Sequence, residues 1–171
     1  PDIIHGDAYK MRRVSRETNV VVIGAGTAGM EAACTAAEVG CHTWLLEAKN
    51  HVGGLASDIS RLPEKKRIAD FPQFMKNRIA SLDNLMLQVG KRADVASVSA
   101  LHPHLIVNAT GSTPLLPPIE GLRENIDTAD GKVFSITGMI DNLAKFTNIE
   151  GKRIAVVGAG AVGLDVIEYF T

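Results

Sequence analysis

The sequence predicts an α/β fold, a parallel sheet layered between helices, with a second unit of the same kind opening near its C-terminal end. Three observations predict it. Asn19-Val20-Val21-Val22-Ile23 is a short β-branched run stopped by Gly24, and a continuous apolar run of that length suits a strand buried on both faces of a parallel sheet. From Thr27 to Val39 the composition changes to helix-compatible Ala, Met, Glu and Cys, and Gly40 stands where a helix end needs a left-handed residue. Lastly, NVVVIGAGTAGM (from Asn19) and RIAVVGAGAVGL (from Arg153) align without a gap, so that Gly24 falls on Gly158.

The whole chain sets the bounds. Its 171 residues fit one domain, or one domain and part of another. With 46% hydrophobic and 22% charged residues it can pack a core. A net charge of −1 favours neither nucleic acid nor an anionic membrane as partner. Two cysteines are too few for a disulfide framework or for an iron–sulfur cluster held by this chain alone, which points to a reducing, cytoplasmic setting. No apolar stretch approaches the ~20 residues that span a bilayer, and no secretory signal opens the chain. It begins with Pro1 rather than Met, and we expect a fragment of a longer protein.

The elements follow in order. Residues 1–18, with Lys10, Arg12, Arg13 and Arg16, read as a solvated linker. The strand Asn19–Ile23, the helix from Thr27 and a second apolar strand, His42–Glu47, form a strand–helix–strand unit whose parallel strands need the helix as crossover. Residues His51–Pro63 read as a loop with Gly53-Gly54 near its start. Ile68, Phe71, Met75, Ile79 and Leu82 have helical spacing. Leu85–Val89 is a strand candidate, and Asp94 can cap a short helix through Leu101. After Pro103, Leu105-Ile106-Val107 reads as another buried strand. Gly111–Gly121, with Pro114, Pro117 and Pro118, is a stiff connection. We therefore expect a first domain over residues 19–113, and a connection and the start of a second domain over 114–171. That second part should hold a strand near Val133, a helix near Ile136–Phe146, a strand Arg153–Val157 and a helix Ala161–Phe170.

The first glycine motif, Gly24-Ala25-Gly26-Thr27-Ala28-Gly29, leaves a strand and opens a helix. Gly24 permits the tight turn, Gly26 lets a pyrophosphate approach the backbone, and Gly29 lets helix and strand pack closely. The free N–H groups and the positive end of the helix dipole then face the phosphates. Glu47, at the end of the second strand, is placed to accept hydrogen bonds from ribose hydroxyls. An acid there argues against a 2′-phosphate. Gly158-Ala159-Gly160-Ala161-Val162-Gly163 repeats the physics, and the chain ends before the strand whose last residue would choose NAD or NADP. Asn108-Ala109-Thr110-Gly111 is a run of small residues after a strand; taken alone it is equally an ordinary turn or a close approach to a ligand.

In this order, GAGTAGMEAA, Glu47, Gly53-Gly54, ATGSTP and GAGAVG resemble the two-dinucleotide-binding flavoproteins, over about residues 17–171. The best match is the C-terminal part of the NADH:flavin oxidoreductases related to 2,4-dienoyl-CoA reductase, enoate reductase and trimethylamine dehydrogenase. The resemblance implies a three-layer Rossmann-like FAD/NAD(P)-binding fold with a truncated second Rossmann-like unit. It places Gly24, Gly26, Thr27, Ala28 and Gly29 at the FAD pyrophosphate, and Glu47, with Ala48 and Lys49, at the adenosine ribose. Gly54 and Leu55 would line the path to the flavin, and Ala93 would lie near the adenine. Ala109, Thr110 and Gly111 would pass close to the cofactor, while Gly158, Gly160, Val162 and Gly163 would receive the NAD(P)H pyrophosphate. Two residues depart from the family pattern: Thr27 stands where Pro is usual, and Leu55 where Gln is common. Family members also carry an N-terminal catalytic barrel with FMN and a four-Cys 4Fe–4S site, which this sequence lacks. The implied role is electron transfer from NAD(P)H through FAD to a cofactor or substrate in that missing domain. No side chain here need act as acid, base or nucleophile, and the fragment alone is expected to be inactive. The alternative is a non-redox module that holds ADP in place of FAD, since both share the half that the glycines and Glu47 read.

Other signals are set aside. Cys34 reads as a small core residue, and no Cys follows Gly53-Gly54, unlike disulfide reductases with a redox pair there. His102 and His104 flank Pro103 without an evident third ligand and read as a turn, so no metal site is expected. Trp44 reads as core. Lys65, Lys66 and Arg67 suit a solvated helix start or a contact to phosphate or a flavin carbonyl. The final helix carries Val162, Leu164, Val166, Ile167 and Phe170, more than one face can hide. We expect self-association through it, or docking of the last strand onto the first domain.

Overall fold

The computed structural model describes residues 11–171. Its contacts divide the chain into two compact units. One runs up to Ser57 and continues over Ala69–Gly111; the other comprises Asp58–Ile68 and Ser112–Thr171.

The first unit is built on a four-stranded parallel sheet in the order β3-β2-β1-β4. The strands are β1 (Asn19–Ile23), β2 (His42–Leu46), β3 (Leu85–Gln88) and β4 (Leu105–Asn108). Helix α1 (Thr27–Glu38) is the first crossover. Its end is a Schellman motif: the Gly40 N–H donates to the Ala37 carbonyl, the Cys41 N–H to that of Ala36, and Gly40 has φ +100°. Alternate residues of β1 serve opposite faces. Val20 and Val22 pack with Met30, Ala33 and Cys34 of α1, and with Met75 and Ile79 of α3 (Asp70–Ala80). Val21 faces the other side with Leu46, Trp44 and Val98 of α4 (Val95–Ser99). Pro72 is harmless to α3 because it sits in the first turn, where N–H groups have no intrahelical partner. Asp94 and Ser97 form a reciprocal capping box at the start of α4.

Several elements differ from the sequence reading. Residues 51–63 are not all loop: α2 (Gly54–Ile59) and the start of a 3-10 segment (Pro63–Ala69) lie there. Six residues are too few for an amphipathic period to show, and Gly53 and Gly54 mask the start. The linker is anchored: the Val14 N–H donates to the Val39 carbonyl and the His42 N–H to that of Thr18; residues 1–10 lie outside the described residues. Among the described residues β4 is an edge strand with only β1 beside it, and Leu105 and Ile106 are 55% and 51% exposed instead of buried.

In the second unit α5 (Leu122–Asn125) precedes a single bridge between Ile126 and Val133, all that forms of the expected strand. The expected helix Ile136–Phe146 breaks at Asn142 into α6 (Ile136–Asp141) and a 3-10 turn (Leu143–Phe146). Leu62, Met139 and Ile140 form its core beneath Phe134, Phe146, Tyr169 and Phe170. Lys65 Nζ lies 2.8 Å from Asp165 and 3.5 Å from Glu168 of α7 (Ala161–Phe170). The expected strand Arg153–Val157 has no regular secondary structure and pairs with no strand among the described residues. A strand needs a neighbour for its ladder, and the second unit supplies none.

Candidate functional site

Register decides where the site lies. Ile23 pairs with Leu46 and with Asn108, and Leu46 with Gln88, so all four strands end on one line. The glycine loop, Glu47, residues 89–93 and the Asn108–Gly111 turn therefore leave the sheet along its carboxyl edge. Open α/β sheets bind ligands there.

Each glycine of the loop has its own reason. Gly24 has φ +98°, and a Cβ on it would come within 2.5 Å of the Ala109 carbonyl oxygen. A Cβ on Gly29 would overlap the Gly24 carbonyl oxygen. Gly26 differs: it is extended, at φ −73° and ψ −174°, and a Cβ there would meet nothing within 4 Å. Its missing side chain is needed neither by the backbone nor by packing, and it leaves open space at the mouth of α1. Gly26 caps that helix without a side-chain hydrogen bond, and the first ladder bond runs from the Met30 N–H to the Gly26 carbonyl at 2.9 Å. The amides of Thr27, Ala28 and Gly29 precede the ladder, and Thr27 and Ala28 are exposed. A bare helix N-terminus beside an open space fits an anionic group such as a pyrophosphate.

Glu47 reaches back into this loop. One carboxylate oxygen accepts from the Ala25 N–H and the other from the Lys49 N–H, each at 2.7 Å. The Ala25 carbonyl accepts from the Gly53 N–H at 2.7 Å, and a Cβ on Gly54 would stand 2.9 Å from the Gly26 Cα. Glu47, Gly53 and Gly54 thus meet at the loop, with Ala48 and Lys49 exposed beside them. Leu55 is 55% exposed. Ala93 packs on Leu46 and Val98 and lines a shallow cavity of about 220 Å³ with Gln88, Lys91, Ser97 and Leu101. Ala109 lies against Gly24, and Asn108 Oδ1 accepts from both the N–H and the hydroxyl of Thr110. Gly111, at φ +80°, is exposed. Sequence reasoning missed Ala25, an unremarkable residue inside the motif whose two backbone groups hold the loop on both sides.

The second motif has the same local form. Gly158 has φ +116°, Gly160 caps α7 at φ −79° and ψ −178°, and a Cβ on Gly163 would overlap the Gly158 carbonyl oxygen. The Leu164 N–H donates to the Gly160 carbonyl at 3.1 Å, as Met30 does to Gly26. Val162 is exposed.

The residues set aside have structural work. Burial raises the thiol pKa of both Cys34 and Cys41, the opposite of an activated thiolate. His104 Nδ1 accepts from the Asn19 N–H at 2.9 Å, joining the starts of β1 and β4. Lys65 is held by Asp165, which raises its pKa, while Lys66 and Arg67 are exposed.

A parallel sheet, a glycine loop on a bare helix N-terminus and a carboxylate at the end of β2 define a Rossmann-like dinucleotide-binding unit. The profile of the FAD dependent oxidoreductases matches residues 19–93. The chain belongs to the pyridine nucleotide-disulphide oxidoreductase family, whose profile matches residues 74–171. It is 31% identical over 160 residues to an NADH oxidase of Thermoanaerobacter brockii, covering 94% of this chain and 24% of that protein. It is 38% identical over 100 residues to an N,N-dimethylglycine/sarcosine dehydrogenase of Chromohalobacter salexigens, covering 58% and 14%. A solved 2-naphthoyl-CoA reductase superposes with a TM-score of 0.66 at 30% identity, over 71% of this chain and 18% of that one. The chain thus spans about a quarter or less of the length of these relatives. Among the described residues no helix is long and apolar enough to cross a membrane.

Proposed function

We propose that this chain is the dinucleotide-binding part of a larger flavin-dependent oxidoreductase of the NADH:flavin oxidoreductase kind. In this reading the loop Gly24–Gly29 holds the pyrophosphate of FAD and Glu47 its adenosine ribose. Ala48, Lys49 and Ala93 flank the adenosine, and Gly54, Leu55 and Ala109–Gly111 lie towards the flavin. The loop Gly158–Gly163, with Val162, receives the pyrophosphate of NAD(P)H. When bound, the flavin supplies hydride acceptance and onward transfer of electrons to a cofactor or substrate elsewhere in the full-length protein. FMN and a 4Fe–4S cluster belong to that other part. The residues of this chain bind, orient and fix the distance; none of them donates or takes a proton.

The observation that carries the reading is the open space at Gly26 before the unpartnered amides of α1, with the Glu47 carboxylate at its side. The likeness to 2-naphthoyl-CoA reductase supports the kind of enzyme, and the NADH oxidase supports a nicotinamide donor. Calorimetric titration of the purified chain with FAD and with ADP tests it. Tighter binding of FAD than of ADP is expected. Equal affinities would favour the ADP-holding module, because the chain would then read only the shared half. Binding of neither would refute the site.

A further inference from the structure

We infer that Glu47 is a positioning residue for the glycine loop itself, holding it on the end of β2 before any ligand arrives. Ala25 is fully buried. A buried N–H without an acceptor is costly, and the Glu47 carboxylate is the acceptor that the Ala25 N–H uses. The other carboxylate oxygen takes the Lys49 N–H, which fixes the side chain's direction. Glu47 is in turn held from behind. Its own N–H donates to the Gln88 carbonyl at 2.8 Å, and its carbonyl accepts from the Lys91 N–H at 3.1 Å. The rigidity of the sheet edge therefore passes through one side chain into the loop.

The glycines set the loop's local shape, as the matching angles at Gly158 and Gly160 show in surroundings where Ala159 is exposed. What Glu47 adds is attachment: it locks the place of the α1 amides relative to the end of β2. A carboxylate offers about four acceptor positions. Two are taken by backbone, so two remain for hydroxyl donors of a ligand. One side chain thus fixes the distance between a phosphate subsite and a ribose subsite. The attachment rests on geometry alone; its effect on affinity rests on the reading of the loop as a nucleotide site.

Glu47→Ala tests it, since the methyl leaves neither the Ala25 N–H nor the Lys49 N–H its acceptor. In the ligand-free chain, exchange of the Ala25 amide proton should speed up by roughly tenfold or more in the variant, the scale of a hydrogen bond to a charged group. The Val98 amide, bonded to the Asp94 carbonyl on α4, serves as control and should not change. Affinity for ADP and for 2′,3′-dideoxy-ADP should fall together, because the second ligand lacks the hydroxyls yet still needs the loop. Unchanged Ala25 exchange would overturn the inference. So would a variant that binds dideoxy-ADP as well as wild type, which would leave Glu47 a ribose contact and nothing more. If neither nucleotide binds the wild type, the nucleotide reading fails, while the exchange measurement still decides the attachment. Should the variant not fold, the wild type alone decides: Ala25 exchange as fast as that of exposed Ala28 would refute it.

Discussion

Gly26 and Gly29 are both glycines of one motif, and the structure predicts opposite consequences for changing each to alanine. At Gly26 the backbone is already extended and a new Cβ meets nothing within 4 Å. The unfolded chain loses some freedom, which stabilises by about 0.4–1 kcal/mol, and a weaker helix cap offsets a similar amount. Gly26→Ala should therefore keep the wild-type stability to within about 1 kcal/mol. At Gly29 the Cβ overlaps the Gly24 carbonyl oxygen and stands 3.2 Å from the Ala109 Cβ. Backbone cannot swing aside, so α1 must lift from β1, at the roughly 1–3 kcal/mol typical of overpacking. For a chain of this size that is a fall in Tm of roughly 3–10 °C. Binding reverses the order of interest. The methyl of Gly26→Ala fills the space that a pyrophosphate would enter; losing one charge-assisted N–H contact, at about 1.5–3 kcal/mol, weakens binding roughly ten- to a hundredfold. Thermal unfolding by circular dichroism and calorimetric titration with ADP measure both quantities. A Gly26→Ala chain that keeps its Tm and still binds ADP as wild type would refute the placement of the phosphate.

Two further outcomes follow from contacts away from the loop. Arg78 of α3 donates from Nε at 2.6 Å and from a terminal nitrogen at 2.8 Å to Glu38, and at 2.7 Å to Glu31, both on α1. The hydrogen bonds from Arg78 hold the Glu38 carboxyl below its ordinary 4.5. A lowered folded pKa gives stability that is present above the unfolded value and lost as pH falls through the folded one. Arg78→Met should cost about 1–2 kcal/mol at pH 7 and flatten the loss below pH 4.5; urea melts in which both proteins lose stability in parallel on acidification would refute it. On α7, Val162, Leu164 and Ile167 are 53%, 59% and 45% exposed. The chain should self-associate through the side of α7 that carries Leu164 and Ile167, with a light-scattering mass that falls in Leu164→Glu; a wild type that stays monomeric at every concentration would count against it.

What the sequence disclosed and what it withheld divide along a physical line. β1, α1 and α7 were legible almost to the residue, because apolar runs, glycine punctuation and helix composition are local signals. The paired glycine motifs were legible for the same reason. The exposure of Leu105 and Ile106 was not: an apolar triplet predicts burial, yet burial depends on a neighbouring strand that the triplet does not encode. Arg153–Val157 failed likewise, since a strand is a relation between two segments. α2 escaped because six residues that begin at Gly54, just after Gly53 and with both glycines at positive φ, carry no period. Glu47 stood out from its spacing after the glycine motif, but its bond to the Ala25 N–H was invisible, because nothing in a sequence says which acceptor a buried backbone amide will find.

The two glycine loops give this division a further use. Their dihedral angles agree, their third glycines face the same carbonyl, and their first ladder bonds match. Their surroundings do not agree. A Cβ on Gly24 would meet the backbone of Ala109 and Thr110, whereas one on Gly158 would meet nothing within 4 Å. The shape of such a loop is therefore a property of about six residues and the helix they start, and it forms without a sheet beside it. Features of the first loop that come from distant segments include the wall at Ala109, the Gly53 N–H bond to the Ala25 carbonyl and the Glu47 bond to the Ala25 N–H. A helix N-terminus attracts any anion, so shape alone gives weak affinity and little choice. In the proposed reading, discrimination between nucleotides at the first loop would reside in Glu47 and the Asn108–Gly111 turn more than in the glycines that announce it.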